Sequence, residues 1–159
     1  MTLDKYTIKA QEAVQAGVQA AQAAQQQSVE PIHLLKGILE KAQDITHFIF
    51  QKLGVNAQAV DMALHNELQH LPKVSGGQPY LSNDSVQVLN KAEELSQKMG
   101  DEFVSVEPIL LALMQGNHTA GRILKDAGCT EEGVRKAIES LRQGQQVKSQ
   151  SGDENYQAL

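Results

Sequence analysis

Ser28-Val29-Glu30-Pro31-Ile32 recurs unchanged 77 residues later as Ser105-Val106-Glu107-Pro108-Ile109. A five-residue identity is improbable in so short a chain, and the agreement continues outward. Leu34 matches Leu111 at the same offset, and Gly54 matches Gly128 at an offset of 74, which implies a three-residue deletion. Six residues past each glycine stands a valine, Val60 or Val134, and ten past it an aliphatic residue, Leu64 or Ile138. The chain therefore reads as two tandem copies, about 1–71 and 82–142.

Each copy reads as helices. Ala10, Ala13, Val14, Gly17, Val18, Ala21 and Ala24 follow the i, i+3, i+4 rule, with Thr7 as N-cap. Their small side chains would let a neighbouring helix approach closely. The repeated pentapeptide is a helix start. Ser28 or Ser105 would cap, the glutamate would sit at the positive helix end, and proline is tolerated in the first turn. The runs that follow, Ile32 to Leu39 and Ile109 to Met114, are apolar on most sides, so these two helices should be central. A third helix begins at Asp44 and ends at Gly54; Gly128 plays the same part in the second copy. Asn56 and Thr130 would cap the last helix of each copy. Four helices per copy predict an all-α, compact eight-helix domain of two four-helix repeats with pseudo-two-fold symmetry, spanning 1–142. Pro72 to Pro79 is rich in turn formers and separates the copies. Residues 143–159 open with Gln143-Gly144-Gln145-Gln146, polar and low in complexity, and are expected to form a flexible linker toward a further domain.

The 159 residues allow one compact domain or two very small ones, and 41% apolar residues suffice for a core. Aromatics at 4% with no tryptophan favour helices packed through small aliphatic side chains over a sheet. The net charge of −5 offers no basic patch to displace counterions from nucleic acid, so no nucleic-acid partner is expected. A single cysteine excludes an intramolecular disulfide and fits a reducing compartment. The first residues lack a signal peptide's basic stretch and apolar run, and no window of about 18 apolar residues would span a membrane. A cytoplasmic location with no membrane contact is the expectation.

Catalytic motifs are missing from the sequence. There is no Gly-x-x-x-x-Gly-Lys-Ser/Thr phosphate loop, no Gly-x-Gly-x-x-Gly and no Gly-x-Ser-x-Gly elbow. His65 and His70 lie five apart, about 140° round a helix, which suits a shared metal poorly. His33 follows the helix start and reads as a packed, hydrogen-bonded residue. Cys129 reads as a small hydrophobe, with a thiol nucleophile near a helix N-terminus as the rival reading; the sequence does not place His118 as its base. No catalytic, cofactor-binding or metal residue is assigned. In the helix after Ser82, Val88, Ala92, Leu95 and Met99 form the main stripe. Leu89 falls about 80° off it and Val86 further still. Leu89 and Val86 are either packed on the other copy or part of an apolar binding surface. Asp101, Glu102 and Glu107 beside them read either as helix-end charge or as an acidic rim.

Three further stretches carry a resemblance to a known family: Met1-Thr2-Leu3-Asp4-Lys5-Tyr6-Thr7, Leu71-Pro72-Lys73-Val74 and Gly100-Asp101-Glu102-Phe103-Val104-Ser105-Val106-Glu107. With the duplicated helix start they resemble the Clp N-terminal domain of AAA+ unfoldases, most of all its disaggregase branch. The tail Glu154-Asn155-Tyr156-Gln157-Ala158-Leu159 is similar to the segment leading to the first ATPase domain of that branch. One departure is His33, which becomes Leu110 in the second copy. The resemblance implies a non-catalytic module that holds unfolded or aggregated polypeptide near a hexameric ring. ATP and magnesium would act in downstream domains, the isolated domain would be a monomer, and co-chaperones are further candidate partners. It implies a substrate-binding surface at Thr7, Asp101, Glu107 and Leu89; Val86 and Ile109 are added from position alone. The rival branch implies docking of a folded adaptor for a protease partner.

Overall fold

The computed structural model describes residues 3–74 and 76–154. Met1, Thr2, Ser75 and the tail from Asn155 to Leu159, which contribute to the resemblance and the expected linkers, lie outside the described residues. Among the described residues the chain forms α1 (Ile8–Ala23), β1 (Ser28–Val29), α2 (Pro31–Lys41), α3 (Gln43–Leu53), α4 (Ala57–Gln69), β2 (Tyr80–Leu81), α5 (Asn83–Lys98), α6 (Val106–Gln115), α7 (Thr119–Asp126), α8 (Glu131–Arg142) and a short 3-10 turn at Gly152–Glu154. The eight-helix, two-copy reading holds. No helix among them is long and apolar enough to cross a membrane.

The helix boundaries follow local chemistry. Thr7, Asn56, Ser82 and Thr130 each place a side-chain oxygen on a first-turn amide of α1, α4, α5 and α8. Gly54 ends α3 at φ +68°, a conformation that costs a side-chain-bearing residue more than glycine. The repeated pentapeptide behaves differently in its two settings. Glu30 rather than Ser28 is the N-cap of α2, with Pro31 in the first turn, and the Ser28 hydroxyl donates to Glu30 Oε2 at 2.7 Å. Ser105 is the N-cap of α6, but its hydroxyl accepts from Arg142 Nη2 at 2.9 Å instead of from a helix amide.

The packing is reciprocal. α3 lies on α8 and α4 on α7, the two halves of one pseudo-two-fold exchange, while α2 and α6 meet near the axis. Every residue of α6 from Val106 to Met114 is buried, as expected for a central helix. The close approach of α1 to α2 rests on glycine. A Cβ at Gly37 would collide with the Ala13 carbonyl oxygen, and one at Gly17 would come within 2.7 Å of the His33 carbonyl.

The copies also trade short strands, which helical periodicity could not signal. The segment before α5, Tyr80–Leu81, pairs in parallel with Ser28–Val29 ahead of α2. The segment before α1 pairs in parallel at Tyr6 with Val104, ahead of α6. Each copy's lead-in thus bonds to the approach to the other copy's central helix, so neither copy is complete alone.

The expected flexible linker over 143–159 is corrected for its described part. Residues 143–154 run back along the domain, with Val147 fully buried and Asp153 1% exposed. One apolar side chain and several backbone hydrogen bonds suffice to hold a segment whose composition is otherwise polar.

Candidate binding surface

The second copy of the pentapeptide opens onto an ionic junction. Arg142, the last residue of α8, donates through Nε to Glu107 Oε1 and through Nη1 to Asp101 Oδ1, both at 2.9 Å, besides its bond to Ser105. The Asp101 and Glu107 side chains are fully enclosed. Burying three charges is costly, and only the planar guanidinium fork with several hydrogen bonds offsets the desolvation. The Asp101 Oδ1 atom also accepts the Val147 amide at 2.9 Å. Thr7 completes the junction. Its hydroxyl accepts the Ala10 amide at 3.1 Å and donates to Asp153 Oδ2 at 2.7 Å. The Thr7 amide donates to the Val104 carbonyl at 2.9 Å. Tyr6, the neighbouring residue, donates its hydroxyl to Glu93 Oε2 at 3.1 Å. Burial and the Glu93 carboxylate push its phenol well above the usual range.

The polar positions Thr7, Asp101 and Glu107 are therefore brought together, as structural anchors rather than as a free acidic rim. Glu102 is the exposed member of that cluster. The apolar positions need correction. Leu89 and Ile109 are both 0% exposed and belong to the core, because α5 and α6 pack directly on one another. Val86, one turn before Leu89, is half-buried and stands at the margin of the same packed face. No open groove is lined by these three side chains.

Sequence reading missed Arg142, Val147 and Asp153, and took Ser105 only for a helix cap. Arg142 was given no role beyond closing the second copy, and Val147 and Asp153 were assigned to a linker. A shallow hollow of about 370 Å³ lies between α5, α8 and residues 144–146. Met99 and Ile138 line it, with Lys98, Arg135 and Glu139 beside them.

The first copy solves the same problem without charge. His33 Nδ1 accepts the Glu30 amide at 2.8 Å, which leaves the proton on Nε2, and Nε2 lies 2.7 Å from Gln26 Oε1. Gln26 Nε2 donates to the Leu68 carbonyl at 2.9 Å. Burial holds the His33 pKa below its ordinary value, against the pull of Glu30, so the neutral form fits this relay. His33 is thus a hydrogen-bonded interior residue, as its position suggests. Burial pushes the Cys129 thiol up to about 11, which disfavours the nucleophilic thiolate. His118 caps α7 by accepting the Gly121 amide at 3.2 Å. His65 and His70 bond to Gln69 and to the Asn66 carbonyl. Among the described residues no three His, Cys, Asp or Glu side chains converge as metal donors.

Comparison with known proteins agrees with this architecture. Residues 5–127 match the model of the Clp repeat (R) N-terminal domain. The chaperone protein ClpB of Bacteroides thetaiotaomicron is 52% identical over 159 residues, covering all of this chain and 18% of that protein. ClpB of Porphyromonas gingivalis is 44% identical over the same length, again 18% of that protein. The chain thus spans about a fifth of these relatives. Among solved structures, the Hsp104 N-terminal domain from Candida albicans superposes with a TM-score of 0.81 at 21% identity, covering 94% of this chain and 99% of that one. The N-terminal domain of the ClpV1 ATPase from E. coli gives 0.74 at 17% identity over 84% and 83%. Duplicated helix starts, reciprocal packing and the match over residues 5–127 lead to one assignment: the chain belongs to the Clp repeat N-terminal domain family.

Proposed function

We propose that this domain is the polypeptide-holding, non-catalytic module of an ATP-dependent, ClpB-type protein disaggregase, which would use ATP and magnesium in other domains and assemble there as a homohexamer in the cytoplasm. The observation that carries the reading is the 52% identity to a ClpB chaperone along the whole of this chain. A disaggregase must hold unfolded segments without trapping them. Weak contact on a tether raises local client concentration, and tight contact would oppose handover. The expected affinity is about −4 to −8 kcal/mol, millimolar to micromolar, since ordering an unfolded chain offsets part of the gain.

The contact surface we assign is the margin of the second copy. Val86 at the start of α5 and the Met99–Ile138 hollow about 20 Å away at its end would offer two shallow apolar contacts, the hollow with a rim of mixed charge from Lys98, Arg135 and Glu139. Asp101 and Glu107 hold Arg142 at the edge of the hollow, and Leu89 and Ile109 are core residues. Because Leu89 is in the core, changing it would unfold the domain and test nothing about binding. Val86→Ser is the informative variant, with Met62→Ser as an exposed control on the other copy. The labelled domain is titrated with a permanently unfolded polypeptide and with its folded parent. Binding of the unfolded form alone, weakened several-fold by Val86→Ser and not by Met62→Ser, is the expected result. Equal binding of both forms would show that the surface does not select unfolded chain and would overturn the proposal. No binding of either at millimolar concentration removes the proposal.

A further inference from the structure

Residues 143–154 sit on the domain much as a bound peptide would. Three amides outside the segment donate to its carbonyls, Glu102 and Phe103 to Val147 at 2.7 and 3.4 Å and Ile8 to Gln150 at 2.7 Å. The Val147 amide donates back to Asp101, and its side chain is fully enclosed. The second anchor is chemically unusual. Asp153 is buried, yet only its Oδ2 has a well-formed hydrogen bond, from the Thr7 hydroxyl, while Oδ1 is buried without one. From α1 the carboxyl faces Thr7 and Lys9, and from α6 it faces Glu107. Lys9 is bonded to Asp44 at 2.9 Å, and Arg142 holds Asp101 and Glu107. A carboxylate in such a place is desolvated and lies near a second acid, which favours its neutral form.

We propose that residues 143–154 form a releasable strap latched by the Asp153 carboxyl, closed over Thr7 and the 101–104 turn when that carboxyl is protonated and loosened when it ionises. Burial, the largest cause, pushes the carboxyl from its ordinary 3.8 up to about 6; the Thr7 bond opposes this, Glu107 adds to it, and Lys9 opposes it. A group that binds its proton more tightly in the docked state favours docking fully below about pH 4. That advantage is lost as pH rises through 6. The gap corresponds to about a hundredfold in the docking equilibrium. Release would bare Thr7 and Asp101, but the latch rests on contacts within the chain and stands whether or not clients bind there.

The Ile8 and Glu102 amides report docking directly, because their acceptors are strap carbonyls. Their hydrogen-exchange protection factors are measured on the whole chain between pH 4 and 7.5, with the core amide of Leu111 as a check on global folding. In the parent both should fall by up to about a hundredfold across this range. Asp153→Asn should hold them near the acid value at every pH, and Val147→Ser should lower them throughout while Leu111 stays protected. A flat parent profile, or an Asp153→Asn profile that falls in parallel with the parent, overturns the latch. Unchanged protection in Val147→Ser overturns the strap itself.

Discussion

The first copy and the second begin their central helices with the same five residues and stabilise them by opposite means. In the first, Glu30 is half-exposed and the neutral relay His33–Gln26–Leu68 ties the helix start to the end of α4. In the second, Glu107 is fully buried and the Asp101–Arg142–Glu107 junction ties the helix start to the end of α8. Arg142 and Leu68 occupy equivalent positions at the offset of 74 that relates the later parts of the copies. A side-chain cation in one copy thus stands where the other uses a backbone carbonyl. The shared pentapeptide encodes a helix start; its environment decides whether the glutamate is solvated or enclosed.

The sharpest way to break this comparison is Arg142→Met. It leaves two buried carboxylates without their guanidinium and should cost about 3–5 kcal/mol, read from the urea midpoint. Replacing Asp101, Glu107 and Arg142 together by Asn, Gln and Met should cost less than the single change, since no uncompensated charge remains. A single-variant loss below about 1 kcal/mol would show that the junction matters no more than a surface ion pair.

Gly37→Ala probes a second asymmetry, because the equivalent of Gly37 in α6 is the buried Met114. Collision with the Ala13 carbonyl should cost about 3 kcal/mol in thermal or urea unfolding, outweighing the helix propensity that alanine adds.

His33→Leu, which installs the second copy's residue, strands the Glu30 amide and Gln26 Oε1. The expected loss is about 1–3 kcal/mol at neutral pH. The parent should also lose stability as pH falls below about 6.5, because a histidine with a lowered folded pKa must give up its neutral form, and the variant should lose that part of the dependence. A parallel pH profile for parent and variant would contradict the relay.

The smallest effects test where the copies agree. Asn56→Ala and Thr130→Ala remove equivalent caps of α4 and α8 and should each cost about 1 kcal/mol. A threefold difference between them would mean that the last helices are not equivalently anchored.

Much of this fold was legible in the residues. The small-residue stripe of α1, the caps Thr7, Asn56 and Thr130, and the central place of α6 all follow from short-range rules that depend on neighbours three or four positions apart. Of the candidate surface, Thr7, Asp101 and Glu107 came from the family resemblance, and their enclosure was not legible in the sequence. Leu89 and Ile109 lay off or outside the α5 stripe, and periodicity has no means of telling a second packed face from an open one. Arg142 was invisible as an anchor because its acceptors stand 35 and 41 residues away in sequence.

The sequence by itself determined the duplication, the helices and the family, because helix starts, stops and apolar periods are written locally. Only the tertiary structure decided which charges are enclosed, which strands cross between copies and where residues 143–154 lie. Those outcomes depend on desolvation and on partners far apart along the chain, so identical pentapeptides meet different surroundings and reach different ends.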